Sequence, residues 1–182
     1  MASLEDAGDA ILAERSADGD TEAFAVLVRR HGPFLRAYAI RLLGNARADA
    51  DDCVQEALIA AWHALPELKD PARFRSWVVA IVSRKATDRL RRRRPDDTEL
   101  DDSLPSSRPD PEDSAVTSSQ LTAVREALDA LPEELRTAWV LREIGGRSYD
   151  EIADQLGVPL ATVRGRIARA RQALLDAMKD WR

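Results

Sequence analysis

Cysteine occurs once in 182 residues, at Cys53, so no intramolecular disulfide can form and no thiolate zinc site can be assembled. A reducing compartment suits such a chain, with Cys53 expected as a small buried hydrophobe. Histidine is nearly as scarce. His31 and His63 lie on separate helical patterns with no Glu-x-x-His partner, which argues against a metal or acid–base constellation. Neither G-x-x-x-x-G-K nor G-x-G-x-x-G occurs, so no phosphate-cradling loop is encoded and no cofactor and no catalytic centre are expected. Apolar runs such as Trp77–Val82 are far shorter than the ~20 residues of a membrane span, and the acidic opening MASLEDAGDA has no secretory apolar stretch. The expectation is a cytoplasmic protein with no membrane contact of its own. Strand-type alternation is missing throughout, which leaves an all-helical fold.

The net charge is −5, and it is unevenly placed. Between Pro95 and Val116 stand eight acids and one base, a net of −7, so the remaining residues sum to +2. Pro95, Pro105, Pro109 and Pro111 interrupt the same stretch. Residues 95–117 therefore read as a flexible acidic linker, since they carry too little apolar surface to offset chain entropy. It divides the chain into two helical domains, 1–94 and 118–182.

In the first domain, Ile11–Ala17 reads as a short helix ended at Gly19, with Asp20 placed to cap the next. Helix follows from Thr21. Gly32-Pro33 then leaves two helices or one kinked helix equally consistent, until Gly44-Asn45 stops the pattern. From Asp49 to Leu65, Val54, Ala57, Leu58, Ala61 and Trp62 form one apolar face, while Asp49, Asp51 and Asp52 crowd the first turn. Asp52, Gln55 and Glu56 form an outer polar strip. On pattern alone the three aspartates are either partners of the helix dipole or, through this strip, part of a surface for a basic partner helix.

The last helix of this domain, Phe74 to about Arg94, buries Phe74, Trp77, Val78, Ile81 and Val82. Counting Arg73 just before it, it carries nine cations: Arg73, Arg75, Arg84, Lys85, Arg89 and Arg91 to Arg94. Such a run suits a helix C-terminus, and beside a second basic helix it favours phosphate contact.

In the second domain, helices are expected from Ser118-Ser119 through Leu131 and from Pro132 to Ile144. A helix-turn-helix then follows in SYDEIADQLGVPLATVRGRIARARQAL, Ser148–Leu174. Ser148 and Glu151 spell a capping box, Gly157 supplies a left-handed C-terminal position, and Pro159 opens the second helix. Val163, Ile167, Ala170 and Leu174 make its inner stripe, packed against Ile152, Ala153 and Leu156. The opposite side holds Ala161, Thr162, Gly165, Ala168, Arg169 and Gln172, flanked by Arg164, Arg166 and Arg171. Small residues in the centre permit close approach to a major groove, and arginines at the edges reach guanines or phosphates. Two other classes accommodate the same residues: a dimeric helix-turn-helix regulator, for which no dimerisation coiled coil is visible, and a helical adaptor that meets acidic proteins through its arginines.

Three blocks in this order, ADADDCVQEALIAAW, FRSWVVAIVSRKATDRLRRRR and LPEELRTAWVLREIGGRSYDEIADQLGVPLATVRGRIARARQAL, resemble the extracytoplasmic-function (ECF) sigma factors, which direct bacterial transcription initiation. The resemblance covers nearly all of the chain except the linker and the extreme ends. It implies a non-catalytic subunit that binds core RNA polymerase through the coiled coil of the largest subunit and the flap of the second-largest. Asp52, Gln55 and Glu56 match the core-polymerase-binding positions. In the second block, Arg84, Lys85 and Asp88 match positions facing the melted minus-ten strand, with Arg73 closing the loop, from about Leu68, that captures a flipped base; Arg91 and Arg92 add phosphate contacts. On the recognition helix, Arg164, Gly165, Ala168 and Arg169 match minus-35 contacts, with Thr162 and Arg171 on the same helix. Arg84 stands where the family usually has Asn, so the identity of the flipped base does not carry over; Gly165 and Ala168 are smaller than in many members. The linker matches the segment threading the polymerase active cleft. The family also implies a separate anti-sigma factor and association with the nucleoid in the holoenzyme.

Overall fold

The computed structural model describes residues 3–93 and 119–179, with side chains in the second stretch from 124 onward. The expected linker, 95–117, lies outside the described residues, as do Arg94 and the side chain of Leu121. Eight α-helices and no strands are found among the described residues.

Helix α1 (Asp9–Ala17) leads into α2 (Thr21–Leu42), whose start is fixed by Asp20: its carboxylate accepts from the backbone N–H groups of Glu22 and Ala23, both at 3.0 Å. Of the two readings open at Gly32-Pro33, the structure takes the single helix. Pro33 lies inside α2. The residue before a proline is normally pushed out of helical geometry by a clash with its own Cβ, and Gly32 has none. Positive φ at Gly44 (65°) and Asn45 (66°) then turns the chain.

Helix α3 (Arg47–Ala64) begins two residues earlier than expected, so its first turn holds only Asp49. This corrects the crowded-turn reading. Asp49 pairs with Arg93, and Asp51 accepts from Arg36 Nε at 2.6 Å, so two of the three aspartates tie α3 to its neighbours. After two short 3-10 turns, α4 (Phe74–Arg93) packs across α2 and α3. Phe74, Val78 and Val82 are buried as expected, Trp77 and Ile81 are half-buried, and Val79, Ser83, Ala86 and Thr87 are buried in addition. Ser83 is tolerated there because its hydroxyl has two partners, the Val79 carbonyl and Tyr38 Oη, each at 2.7 Å.

The second half comprises α5 (Ser119–Asp129), α6 (Glu133–Glu143), α7 (Tyr149–Leu156) and α8 (Leu160–Lys179). The inner stripe of α8 is buried as read, but it serves two neighbours. Val163 and Ile167 pack in the main core with Ile152, whereas Ala170 and Leu174 pack with Leu128 and Leu131 at the α5 end. Eleven residues of helix rise about 16 Å, and the eight-residue α7 is too short to cover that length.

The halves are not separate in space. Helix α6 lies on the C-terminal part of α2, and one apolar cluster runs from Leu12 through Tyr38 and Val78 to Leu141, Ile152 and Ile167. Gly145 makes this approach possible: a Cβ there would lie 2.3 Å from Tyr38 Oη and 2.8 Å from the Leu141 carbonyl oxygen. Arg136, only 8 % exposed, donates to the Leu131 carbonyl at 3.0 Å and packs against Gly44.

Candidate nucleic-acid interface

The helix-turn-helix is set by its own caps. Ser148 Oγ accepts from the Glu151 N–H at 3.1 Å, and Glu151 Oε2 accepts from the Ser148 N–H at 2.7 Å. These hydrogen bonds, first of all that from the Ser148 backbone, hold the Glu151 carboxyl below its usual range. Gly157 at φ +66° closes α7 and turns the chain into α8.

On α8 the arginines divide into two sets. Arg166 is anchored inward: its side chain is 11 % exposed and donates to Glu134 Oε2 at 2.7 Å. Arg171 donates to Glu143 Oε1 at 2.6 Å, tying the middle of α8 to the end of α6. Arg164 and Arg169 have no ion pair among the described residues; Arg169 Nε donates only to the carbonyl of Gly165, at 3.3 Å. Ala168 is exposed, Thr162 and Gly165 are half-buried, and nothing lies within 4 Å of a Cβ built at Gly165. The outward face of α8 is therefore small residues between two unpaired guanidiniums, a shape that fits a major groove.

On α4 the charged residues also point two ways. Arg84, Asp88 and Arg91 face α7 across a cavity of about 360 Å³, whose far wall is Arg147, Glu151 and Asp154. Lys85 and Arg89 face α3 and meet Glu56, at 3.7 and 2.5 Å. Arg92 is exposed, and Arg73 is exposed at the end of the preceding turn, 3.3 Å from Asp70. On α3, Asp52 and Gln55 are exposed and Glu56 is engaged with α4. Thus the structure brings Glu56 and Lys85 together and leaves Arg73 on the turn before α4, beside Asp70.

Beside Gln55 the helices α2 and α3 leave an apolar groove of about 480 Å³, lined by Phe24, Val54, Leu58, Ile59 and Trp62. Ile59 is 53 % exposed, and Phe24 and Trp62 meet with ring centroids 5.1 Å apart. The sequence reading missed this groove. Its signal is an aliphatic residue out of phase: Ile59 lies about 140° from Val54, off the stripe that the neighbouring apolar residues follow.

No group of residues suited to hold a metal ion is present among the described residues, and no helix there is long and apolar enough to cross a membrane. The comparisons with known proteins agree with the two helical halves. Residues 27–95 match the Sigma-70 region 2 family and residues 121–174 the Sigma-70 region 4 family. The RNA polymerase sigma factor CnrH of Cupriavidus metallidurans is 39 % identical over 182 residues, covering 93 % of this chain and 95 % of CnrH. The ECF RNA polymerase sigma-E factor of Escherichia coli is 34 % identical over 177 residues, covering 91 % and 92 %. This chain belongs to the ECF sigma factors.

The solved structures agree with that assignment. CnrH in complex with the cytosolic domain of CnrY matches this sigma factor at TM-score 0.56 and 35 % identity, covering 94 % of this chain and 97 % of that one. The Bartonella quintana sigma factor RpoE, in complex with the anti-sigma factor NepR, matches at TM-score 0.56 and 26 % identity, covering 86 % and 96 %. In the sigma factor described here, α3, the turn ending at Arg73 and α4 fall within the region 2 match, and α6, α7 and residues 160–174 of α8 within the region 4 match, so the expected interface residues lie in matched segments.

Proposed function

We propose that this sigma factor docks on core RNA polymerase through α3, reads the melted minus-ten element with α4 and reads the minus-35 element with α8. The observation that carries the reading is the outward face of α8, where Arg164 and Arg169 flank Gly165 and Ala168 and make no ion pair among the described residues. Thr162 and Arg171 border that face. Asp52, Gln55 and Glu56 offer the acidic, polar strip to the basic side of the largest subunit's coiled coil. The adjoining apolar groove takes an apolar side chain from the same partner, since Ile59 and Trp62 gain burial only when it is filled. The flap of the second-largest subunit contacts the second half.

Promoter melting needs no chemistry from this chain. Arg73 and the turn before α4 hold the extruded base, Arg84, Lys85 and Asp88 line the displaced strand, and Arg91 and Arg92 neutralise phosphates. Binding an extruded base offsets the few kcal/mol of unstacking. Domains 1–94 and 118–182, an acidic tether between them, a cytoplasmic location and control by a separate anti-sigma factor complete the reading. The solved relatives bound to CnrY and to NepR support the last point. Sedimentation of the purified chain with core polymerase tests the docking: it should co-migrate one to one, and Gln55→Ala with Glu56→Ala should reduce that fraction. A chain that sediments alone refutes it.

A further inference from the structure

We propose that the cleft between α2 and α5 is a binding site for a small phosphate-bearing molecule, held between the guanidiniums of Arg41 and Arg125. None of the polymerase or promoter contacts proposed above uses these two residues, so the site stands or falls independently of that reading.

Helix α2 contributes Arg36, Ile40 and Arg41 to a cavity of about 400 Å³, Asn45 follows from the turn after the helix, and α5 supplies Arg125 and Leu128 from the other side. Spacing accounts for the grouping. Residues four and five positions apart share one face of α2, and residues three apart share one face of α5. Asp129 is the one carboxylate of the lining among the described residues. Arg36, at the α2 side, already shares its Nε–H with Asp51 at 2.6 Å, which leaves Arg41 and Arg125 as the principal cations.

Arg41 is held in the cleft at a cost. It is half-buried, donates from Nη1 to the Ala37 carbonyl of its own helix at 2.9 Å, and makes no ion pair among the described residues. Burial draws the Arg41 guanidinium below its usual pKa, and the neighbouring Arg125 charge draws it down further, with Asp129 acting the other way. A third guanidinium stands behind them. Arg136 packs on Gly44, next to Asn45, and donates to the Asp129 and Leu131 carbonyls at 3.5 and 3.0 Å, while its buried Nε finds no partner among the described residues. Like charges in a part-buried cleft repel more strongly than in water, and an anion between them turns that repulsion into attraction.

The chemistry favours phosphate over carboxylate. A carboxylate has two oxygens and is satisfied by one guanidinium fork, whereas a terminal phosphate presents three and can accept from two forks at once. The cavity is also far larger than one phosphate group and falls within the range of small-molecule sites. Ile40 and Leu128 give the rest of the ligand an apolar wall.

The test is calorimetric titration of the full free chain at low salt with two probes, inorganic tripolyphosphate and ATP. One site per chain is expected, weakening as salt is raised. Tripolyphosphate binding as well as ATP or better assigns the site to an inorganic anion, and tighter binding of ATP assigns it to an organic phosphate that uses the apolar wall; either result supports the site. Arg41→Gln and Arg125→Gln should each weaken binding about tenfold or more, as the loss of a charged hydrogen bond does. Asp129→Asn should tighten it severalfold by removing the opposing charge. Arg29→Gln, on the same helix but exposed and paired with Glu5, should leave it unchanged. If Arg41→Gln folds poorly, Arg125→Gln and Asp129→Asn carry the test. The site is overturned by the absence of saturable binding of either probe, by a loss with Arg29→Gln as large as that with Arg125→Gln, or by an oligoglutamate peptide that binds tighter than both probes.

Discussion

Arg166 and Arg169 differ by three positions on one helix, and the structure assigns them opposite consequences. Arg169→Ala removes an exposed guanidinium whose only described partner is its own helix backbone. Stability should change by no more than about 0.5 kcal/mol, as for surface substitutions generally. Binding of the holoenzyme to a promoter carrying its minus-35 element should weaken by about 1–3 kcal/mol, the range for a good base contact, or roughly 5- to 150-fold. Arg166→Ala removes a side chain that is 11 % exposed and breaks its ion pair with Glu134 at 2.7 Å. Packing of the aliphatic stem is lost together with the ion pair, so about 1–3 kcal/mol of stability should go. Two assays separate the pair: urea unfolding of the free chain for stability, and salt-controlled anisotropy titration of a fluorescent promoter duplex with holoenzyme for binding. Arg169→Ala that unfolds early and binds normally, with Arg166→Ala doing the reverse, would refute the division of the α8 arginines.

Further outcomes follow from local geometry. Gly157→Ala should cost about 1–2 kcal/mol in denaturant unfolding, because a Cβ at φ +66° meets the adjacent carbonyl. Ser148→Ala should cost about 1 kcal/mol by the loss of one side of the capping box. The Glu151 carboxyl is held below its ordinary 4.5, so its stabilisation is complete above that pH and is lost as pH falls through the lower folded-state value; Glu151→Gln should flatten this part of the acid-unfolding curve. Burial pushes the Cys53 thiol up to about 11 and removes it from solvent, so a disulfide reagent at pH 8 should label folded protein at the rate of unfolding and denatured protein at once.

Much of this was legible because the signals are local. Ser148, Glu151 and Gly157 determine the helix-turn-helix by hydrogen bonds and φ preferences that need only a few neighbours, and the structure places them as read. The buried stripe of α8 was readable from its period, and the burial of Cys53 from the chemistry of a lone thiol. What escaped is long-range. Whether Gly32-Pro33 kinks or continues depends on one missing Cβ, and whether Asp49 and Asp51 serve a dipole or an ion pair depends on where Arg93 and Arg36 arrive. The fates of the four α8 arginines depend on α6, which brings Glu134 to Arg166 and Glu143 to Arg171. Gly145 read only as a helix stop. Its close approach to Tyr38 involves a residue more than a hundred positions away and leaves no periodic trace.

Run-off transcription with purified core polymerase on genomic fragments, followed by start-site mapping, tests the central claim most directly. Adding this chain should create a discrete set of new start sites that share spaced minus-ten and minus-35 sequences, and Arg169→Ala should weaken initiation at them selectively. Start sites that are unchanged by the chain, at any ratio to core enzyme, would contradict the account.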